Sequence, residues 1–163
     1  MKRNLILAVC LATAAAASAC TNFIVGKNAS ADGSVICSYN ADDYGMFIGL
    51  CHYPAGKHSK GEMRDIVDWD THKYIGKIPE AAETYNVIGN ISEYQVTIGE
   101  TTYGGREEMV DPKGGIDYGS LIYLGLQRSK TAREAIKVMT HLAETYGYCS
   151  EGETFTLDRK SVV

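Results

Sequence analysis

The stretch Ala17-Ser18-Ala19-Cys20 constrains this chain more than any other. Lys2 and Arg3 precede an uncharged apolar run over residues 5–17, which ends in a small-x-small site. That order of basic, apolar and small residues reads as a secretory signal peptide with cleavage after Ala19. The run is shorter than the about 20 apolar residues that span a bilayer, so no membrane span is expected. Cleavage makes Cys20 the first residue of a 144-residue product, the 163 residues less 19, which is a one-domain length.

A cysteine at that terminus joins a nucleophile and a base in one residue. Its thiol has a reference pKa of about 8.5 and its α-amine about 7.7–8.0. The free amine can therefore take the thiol proton near neutral pH. Two other readings of Cys20 stay open. Cleavage beside a cysteine can be coincidence, and Cys20 can instead be the acylated first residue of a surface lipoprotein that binds rather than cleaves. A lipoprotein signal usually carries Leu three residues ahead of the cysteine, where this chain has Ala17. Acylation would also remove the base, so a free and an acylated Cys20 exclude each other.

Lys2 and Arg3 leave with the signal, so the product carries 14 basic and 20 acidic side chains, a net charge of −6. That excludes nucleic acid and an anionic membrane surface as expected partners. Its cysteines are Cys20, Cys37, Cys51 and Cys149. They show no Cys-x-x-Cys spacing, and buried thiols are expected at Cys37 and Cys51.

Residues 21–26 read as a short buried strand, Asp32-Gly33 as a hairpin signal and residues 34–39 as the returning strand. Residues 40–45 form a polar corner with Asp42 and Asp43, and residues 47–53 an apolar strand. Residues 54–82 read as a solvated loop with short strand pieces. No Cys/His ligand spacing appears there, so no metal is expected. Strands follow at 85–89 and 94–98, and residues 100–106 leave the sheet through Gly104-Gly105. Residues 117–128 predict a buried helix. Thr131-x-x-Glu134 reads as a capping box opening a second helix that Gly147 stops, with His141 on its surface. A strand resumes near Thr154. This order makes an α+β layered domain.

Cys20-Thr21-Asn22-Phe23-Ile24-Val25-Gly26, Ala31-Asp32-Gly33-Ser34, Asn40-Ala41-Asp42, Ile98-Gly99-Glu100-Thr101-Thr102 and Asp117-Tyr118-Gly119 resemble the secreted bacterial dipeptidase family. That family belongs to the N-terminal-nucleophile (Ntn) cysteine hydrolases, with secernins, penicillin V acylases and bile salt hydrolases as relatives. The resemblance covers residues 20–157. It implies an Ntn-hydrolase αββα sandwich and hydrolysis of dipeptide amide bonds without metal or organic cofactor. The family is several times longer, so this chain is expected to be its N-terminal part. The sandwich would then be incomplete, and the product unstable and inactive alone. Residues 158–163 depart from the family pattern and are expected to be a non-native tail.

The resemblance gives Cys20 the role of nucleophile and Asp42 that of the carboxylate orienting its amine. Relatives carry an Arg three residues before that Asp, where this chain has Tyr39, a hydrogen-bond donor without charge. Thr101, Asn90, Glu100 and Tyr39 are the candidates for substrate or oxyanion contacts, although strand termination explains Thr101 and Asn90 equally well. The leading expectation is an exported, periplasmic or secreted cysteine dipeptidase acting on small peptides, with a homo-oligomer left open. A linear-amide acylase of the bile salt or penicillin V type and the Cys20-acylated lipoprotein are the alternatives.

Overall fold

The computed structural model describes residues 20–42 and 49–159. The expected signal peptide, Asp43, the start of the 47–53 run and residues 160–163 lie outside the described residues.

The chain opens with β1 (Thr21–Val25) and β2 (Ile36–Asn40), an antiparallel ribbon pairing Thr21 with Asn40 and Val25 with Ile36. In its turn Asp32 Oδ1 accepts the Ser34 N–H at 3.0 Å, and Gly33 takes φ +75°, a conformation that favours glycine. Short strands follow as β3 (His52–Tyr53), β4 (Gly56–Lys57), β5 (Met63–Val67), β6 (Tyr74–Pro79), β7 (Glu83–Thr84), β8 (Val87–Ile88) and β9 (Ile91–Ser92). The long β10 (Val96–Gly104), helices α1 (Tyr118–Gln127) and α2 (Ala132–Tyr146), and β11 (Gly152–Arg159) complete the described chain. The fold is α+β. Its main sheet has the order β11-β10-β9-β8-β3, while β4-β7, β5-β6 and the opening ribbon are two-stranded sheets.

β10 organises the layers. Alternate residues of a strand face opposite ways. A Cβ at Gly99 would overlap Asn22 Oδ1 and lie 3.0 Å from the Tyr39 Cβ, so that face carries the ribbon. Ile98 faces the other way, because a Cβ at Gly125 of α1 would lie 3.2 Å from the Ile98 Cδ1. The order is ribbon, sheet, helices.

Both helices form where the sequence places them. Nine of the ten residues of α1 are buried, as expected for a helix apolar on all sides. Asp117 caps it, accepting the Ser120 N–H, and also accepts the Trp69 N–H at 3.0 Å. In α2 the Thr131 hydroxyl accepts the Glu134 N–H. The Glu134 carboxylate turns back to the Lys130 N–H, one residue earlier than a capping box requires. Gly147 ends the helix at φ +77°. His141 is exposed, as expected.

Several expectations change. β1 forms but is not buried: Phe23 is 67% exposed, and Ile36 on β2 is 52% exposed. These side chains lie on the face opposite Asn22 and Tyr39, and β10 covers only the latter face. Cys37 and Cys51 are half-buried free thiols, one on the ribbon face turned toward Thr97 of β10 and one lining an open cavity. Residues 54–82 are not merely a loop. β5 and β6 form a hairpin that sends Ile66 and Ile78, both essentially inaccessible, into the core. Asp158 and Arg159 lie in β11, paired with Thr97 and Val96, which does not bear on whether residues 158–163 are native.

The uncovered ribbon gives a first prediction. A Phe23→Ser/Ile36→Thr double variant should bind less of a dye that reports exposed apolar surface, and aggregate less. Its stability should stay within about 0.5 kcal/mol of wild type, because both side chains are exposed. A large loss in a urea melt would show that something packs on that face.

Candidate active site

Cys20 directly precedes β1, and the ribbon register sets it beside the end of β2, where Asp42 follows Asn40 and Ala41. The Asp42 backbone hydrogen-bonds the Cys20 thiol, while the Asp42 carboxylate accepts from the Asn40 amide. The second partner of the thiol is Glu100, in the middle of β10. Burial pushes the Cys20 thiol above its ordinary value, the contact with Glu100 adds to that, and the Asp42 backbone opposes it. The thiol is therefore protonated at neutral pH. In the 163-residue chain the Cys20 nitrogen is still an amide to Ala19, so no α-amine lies beside it.

Glu100 is 2% exposed, yet its carboxyl lies below the ordinary range. Burial works against the charge, but hydrogen bonds from the Tyr39 hydroxyl, at 2.6 Å, and the Cys20 thiol hold it ionised, and Glu153 and Thr102 add to them. Burial and that carboxylate drive the Tyr39 phenol far above its usual value, so it stays a neutral donor.

Glu153 on β11 was not singled out from the sequence. It lies opposite Thr102 in the register, and the Thr102 hydroxyl donates to its Oε1 at 2.8 Å. Its Oε2 is buried with no donor facing it. A proton on Glu153 turns its contact with Glu100 into a hydrogen bond, and Glu153 is accordingly pushed up to about 8. Burial is the main cause; the bond from Thr102 opposes it and Glu100 reinforces it. The signal for this pair was the register between two strands far apart in sequence, which no local pattern contains.

That shift has a definite sign. The folded chain keeps a proton that the unfolded chain releases near pH 4.3, so Glu153 lowers stability as pH rises from about 4.3 to 8. Glu153→Gln should flatten that decline, with a gain on the order of 1 kcal/mol at pH 8.5, reduced by the open side of the site. Urea melts at pH 5 and 8.5 read the slope. An unchanged slope in the variant would mean that Glu153 ionises without cost.

The other candidates fall elsewhere. Thr101 faces away from Glu100; its hydroxyl donates to the Glu100 carbonyl and accepts from Asn22 Nδ2 at 2.6 Å, fastening the ribbon to β10. The Asn90 amide donates to the Ile98 carbonyl at 2.7 Å, and its side faces a neighbouring cavity rather than the thiol. The structure thus gathers Cys20, Asp42, Glu100 and Tyr39, and sets Thr101 and Asn90 apart.

The thiol opens on a cleft of about 560 Å³ lined by six carboxyl residues, Asp42, Asp68, Asp70, Glu100, Glu151 and Glu153. No Lys, Arg or His lines it among the described residues. Among those residues no group of three or more His, Cys, Asp or Glu side chains has a metal-binding arrangement. Ala41 and Tyr118 also border a second cavity, of about 460 Å³, whose lining is mostly apolar and includes five aromatic side chains.

Residues 19–49 and 46–162 match peptidase family C69. The chain is 29% identical over 168 residues to a protein of Salmonella dublin described as a probable dipeptidase, covering 90% of this chain and 37% of that protein. It is 30% identical over 151 residues to a probable dipeptidase of Latilactobacillus sakei, covering 80% of this chain and 31% of that protein. The chain thus spans about a third of the length of the curated relatives it matches. Because the family match takes in the ribbon that carries Cys20, the strand that carries Glu100 and both helices, this chain belongs to peptidase family C69.

Proposed function

We propose that the protein is an exported, thiol-dependent dipeptidase whose nucleophile is Cys20, freed as the N-terminal residue by cleavage after Ala19. The observation that carries this reading is the Cys20 thiol held between the Asp42 backbone and the buried Glu100 carboxylate, at the edge of an acid-lined cleft. The ribbon, sheet and helix order is consistent with part of an Ntn-type αββα sandwich. The names of the Salmonella dublin and Latilactobacillus sakei relatives support a dipeptide as substrate.

The chemistry follows from one change of charge. Cleavage turns the Cys20 nitrogen from an amide into an amine, which accepts the thiol proton and becomes an ammonium among carboxylates. That cation favours the thiolate, which Glu100 alone disfavours. The thiolate attacks the scissile carbonyl carbon, and the ammonium returns its proton to the departing amine. Water then hydrolyses the thioester and regenerates Cys20. Asp42 and Glu100 hold the amine. Where the family resemblance implies a guanidinium, Tyr39 directs a neutral hydroxyl at Glu100.

The acid lining also favours substrates that bring a positive charge, such as the free ammonium of a dipeptide. It disfavours acidic conjugates, which sets the dipeptidase reading above an acylase of the bile salt or penicillin V type. The test uses the protein beginning at Cys20, with its terminus established by intact mass and its folding by a cooperative thermal melt, since an incomplete sandwich would leave it unstable and inactive. Free dipeptides should be cleaved at least about tenfold faster than their N-acetyl forms, as expected when a charged partner is lost from a buried carboxylate. Equal rates, or a mass showing an acylated Cys20, would overturn the reading.

A further inference from the structure

The second cavity borders the nucleophile cleft but has the opposite character. Its walls include Tyr39, Tyr53, Trp69, Tyr118 and Tyr123. Tyr53 and Tyr123 stack with ring centroids 4.7 Å apart. Its volume of about 460 Å³ falls within the range of pockets that enclose small organic groups.

Two tyrosines divide the chambers. The Tyr39 hydroxyl donates to Glu100, and the Tyr118 hydroxyl donates to Asp70 at 2.8 Å, both on the acid side. Both also line the aromatic cavity. Their phenols are held neutral, by burial first and by these carboxylates next. The divide is thus polar toward the thiol and apolar behind it, and Ala41 is its smallest element.

A dipeptide matches this partition through a single carbon. The α-carbon of its N-terminal residue bears the ammonium, the carbonyl that the thiolate attacks and the side chain. If the ammonium lies among the carboxylates and the carbonyl at Cys20, the side chain is the group left to cross the divide. We propose that the aromatic cavity is the subsite for the side chain of the N-terminal residue, and that it selects large apolar, above all aromatic, side chains. This rests on the dipeptidase reading.

Trp69 is the only tryptophan in the sequence and it lines the cavity, so its fluorescence reports occupancy. The experiment titrates the full chain carrying Cys20→Ala, which prevents turnover, with phenylalaninamide and with glycinamide. Phenylalaninamide should change the Trp69 emission saturably, and glycinamide should bind at least about tenfold more weakly, since it lacks the ring to be buried. Ala41→Leu, at an exposed position that does not endanger folding, should narrow the divide and weaken phenylalaninamide at least about fivefold. A thermal melt equal to that of the parent confirms that this variant is folded. Equal binding of the two amides, no change in emission, or indifference to Ala41→Leu would each overturn the proposal. Hydrolysis by wild type is read separately. A protein that cleaves dipeptides through Cys20 without preferring an aromatic first residue keeps the dipeptidase and loses the subsite.

Discussion

Cys20→Ser should lower dipeptide hydrolysis by at least about 10³-fold in kcat/KM, in the range seen when a nucleophile is removed from a catalytic unit. The reason lies in the proton to be moved. An α-amine with a pKa of about 8 can take a proton from a thiol near 8.5–9, but a serine hydroxyl lies far beyond its reach. Neither carboxyl grouped with the thiol on β10 and β11 replaces the amine as base: Glu100 is held ionised below the usual carboxylate range, and Glu153, pushed up to about 8, keeps its own proton at neutral pH. Serine also fits the site, since Cys20 is only half-buried and its oxygen can keep the contacts to Glu100 and the Asp42 backbone. The loss should therefore fall on kcat, with KM changed little and the thermal melt unmoved. Steady-state kinetics on dipeptides decide it. A variant that retains a tenth of wild-type activity would remove Cys20 from the nucleophile role.

Glu80→Ala should destabilise the fold by about 2–3 kcal/mol, below the cost of a fully buried unpaired charge, because the two guanidinium groups left without their partner are only partly buried. The Glu80 side chain is 3% exposed and bonds Arg64 at 3.2 Å and Arg128 at 2.9 Å, clamping the end of the β5–β6 hairpin to the end of α1. Burial opposes its charge, but the Ala81 N–H and the two guanidinium groups outweigh that and hold its carboxyl below the ordinary range. The sign follows. Stability from Glu80 is present above about pH 4.3 and is lost as pH falls through its lowered folded value. Urea melts at pH 7 and pH 3 should show the variant far below wild type at pH 7 and closer to it at pH 3. An equal deficit at both would mean that Glu80 acts by packing rather than charge. The damage should reach the aromatic cavity, because Arg64 lies 5.4 Å from the centroid of the Tyr123 ring, the partner of Tyr53 in the stack.

What was legible in the sequence was what neighbours along the chain decide. The Thr131 cap, the Gly147 stop and the apolar run of α1 act within one or two helical turns, and both helices stand as read. The Asp32-Gly33 turn is local in the same way. The β5–β6 hairpin was harder, because Ile66 and Ile78 are single buried positions among Arg64, Asp65, Asp68 and Lys77, and the charges dominate the pattern. β1 misled in the opposite direction: Phe23, Ile24 and Val25 read as interior, yet whether a strand is covered depends on what packs over it. In the site, Glu100 was legible through its motif. Glu153 was not, because its partner Thr102 is 51 positions away and only the strand register brings them together. Thr101 and Asn90 carry the right chemistry, but alternation turned one away and the strand connection spent the other's amide on Ile98.

Gly99 and Glu100 are consecutive, yet one admits the ribbon and the other carries the site's central carboxylate. A slip of one residue along β10 would exchange their faces, because the side-chain period of a strand is two. A carboxylate would then occupy a space that cannot hold even a methyl group, and the thiol would face glycine. Single-residue insertions or deletions between Ile98 and Thr102 should therefore be absent from functional variants of this chain, while the segment after Gly105 tolerates them. Length, as much as residue identity, is what inheritance must conserve along this strand.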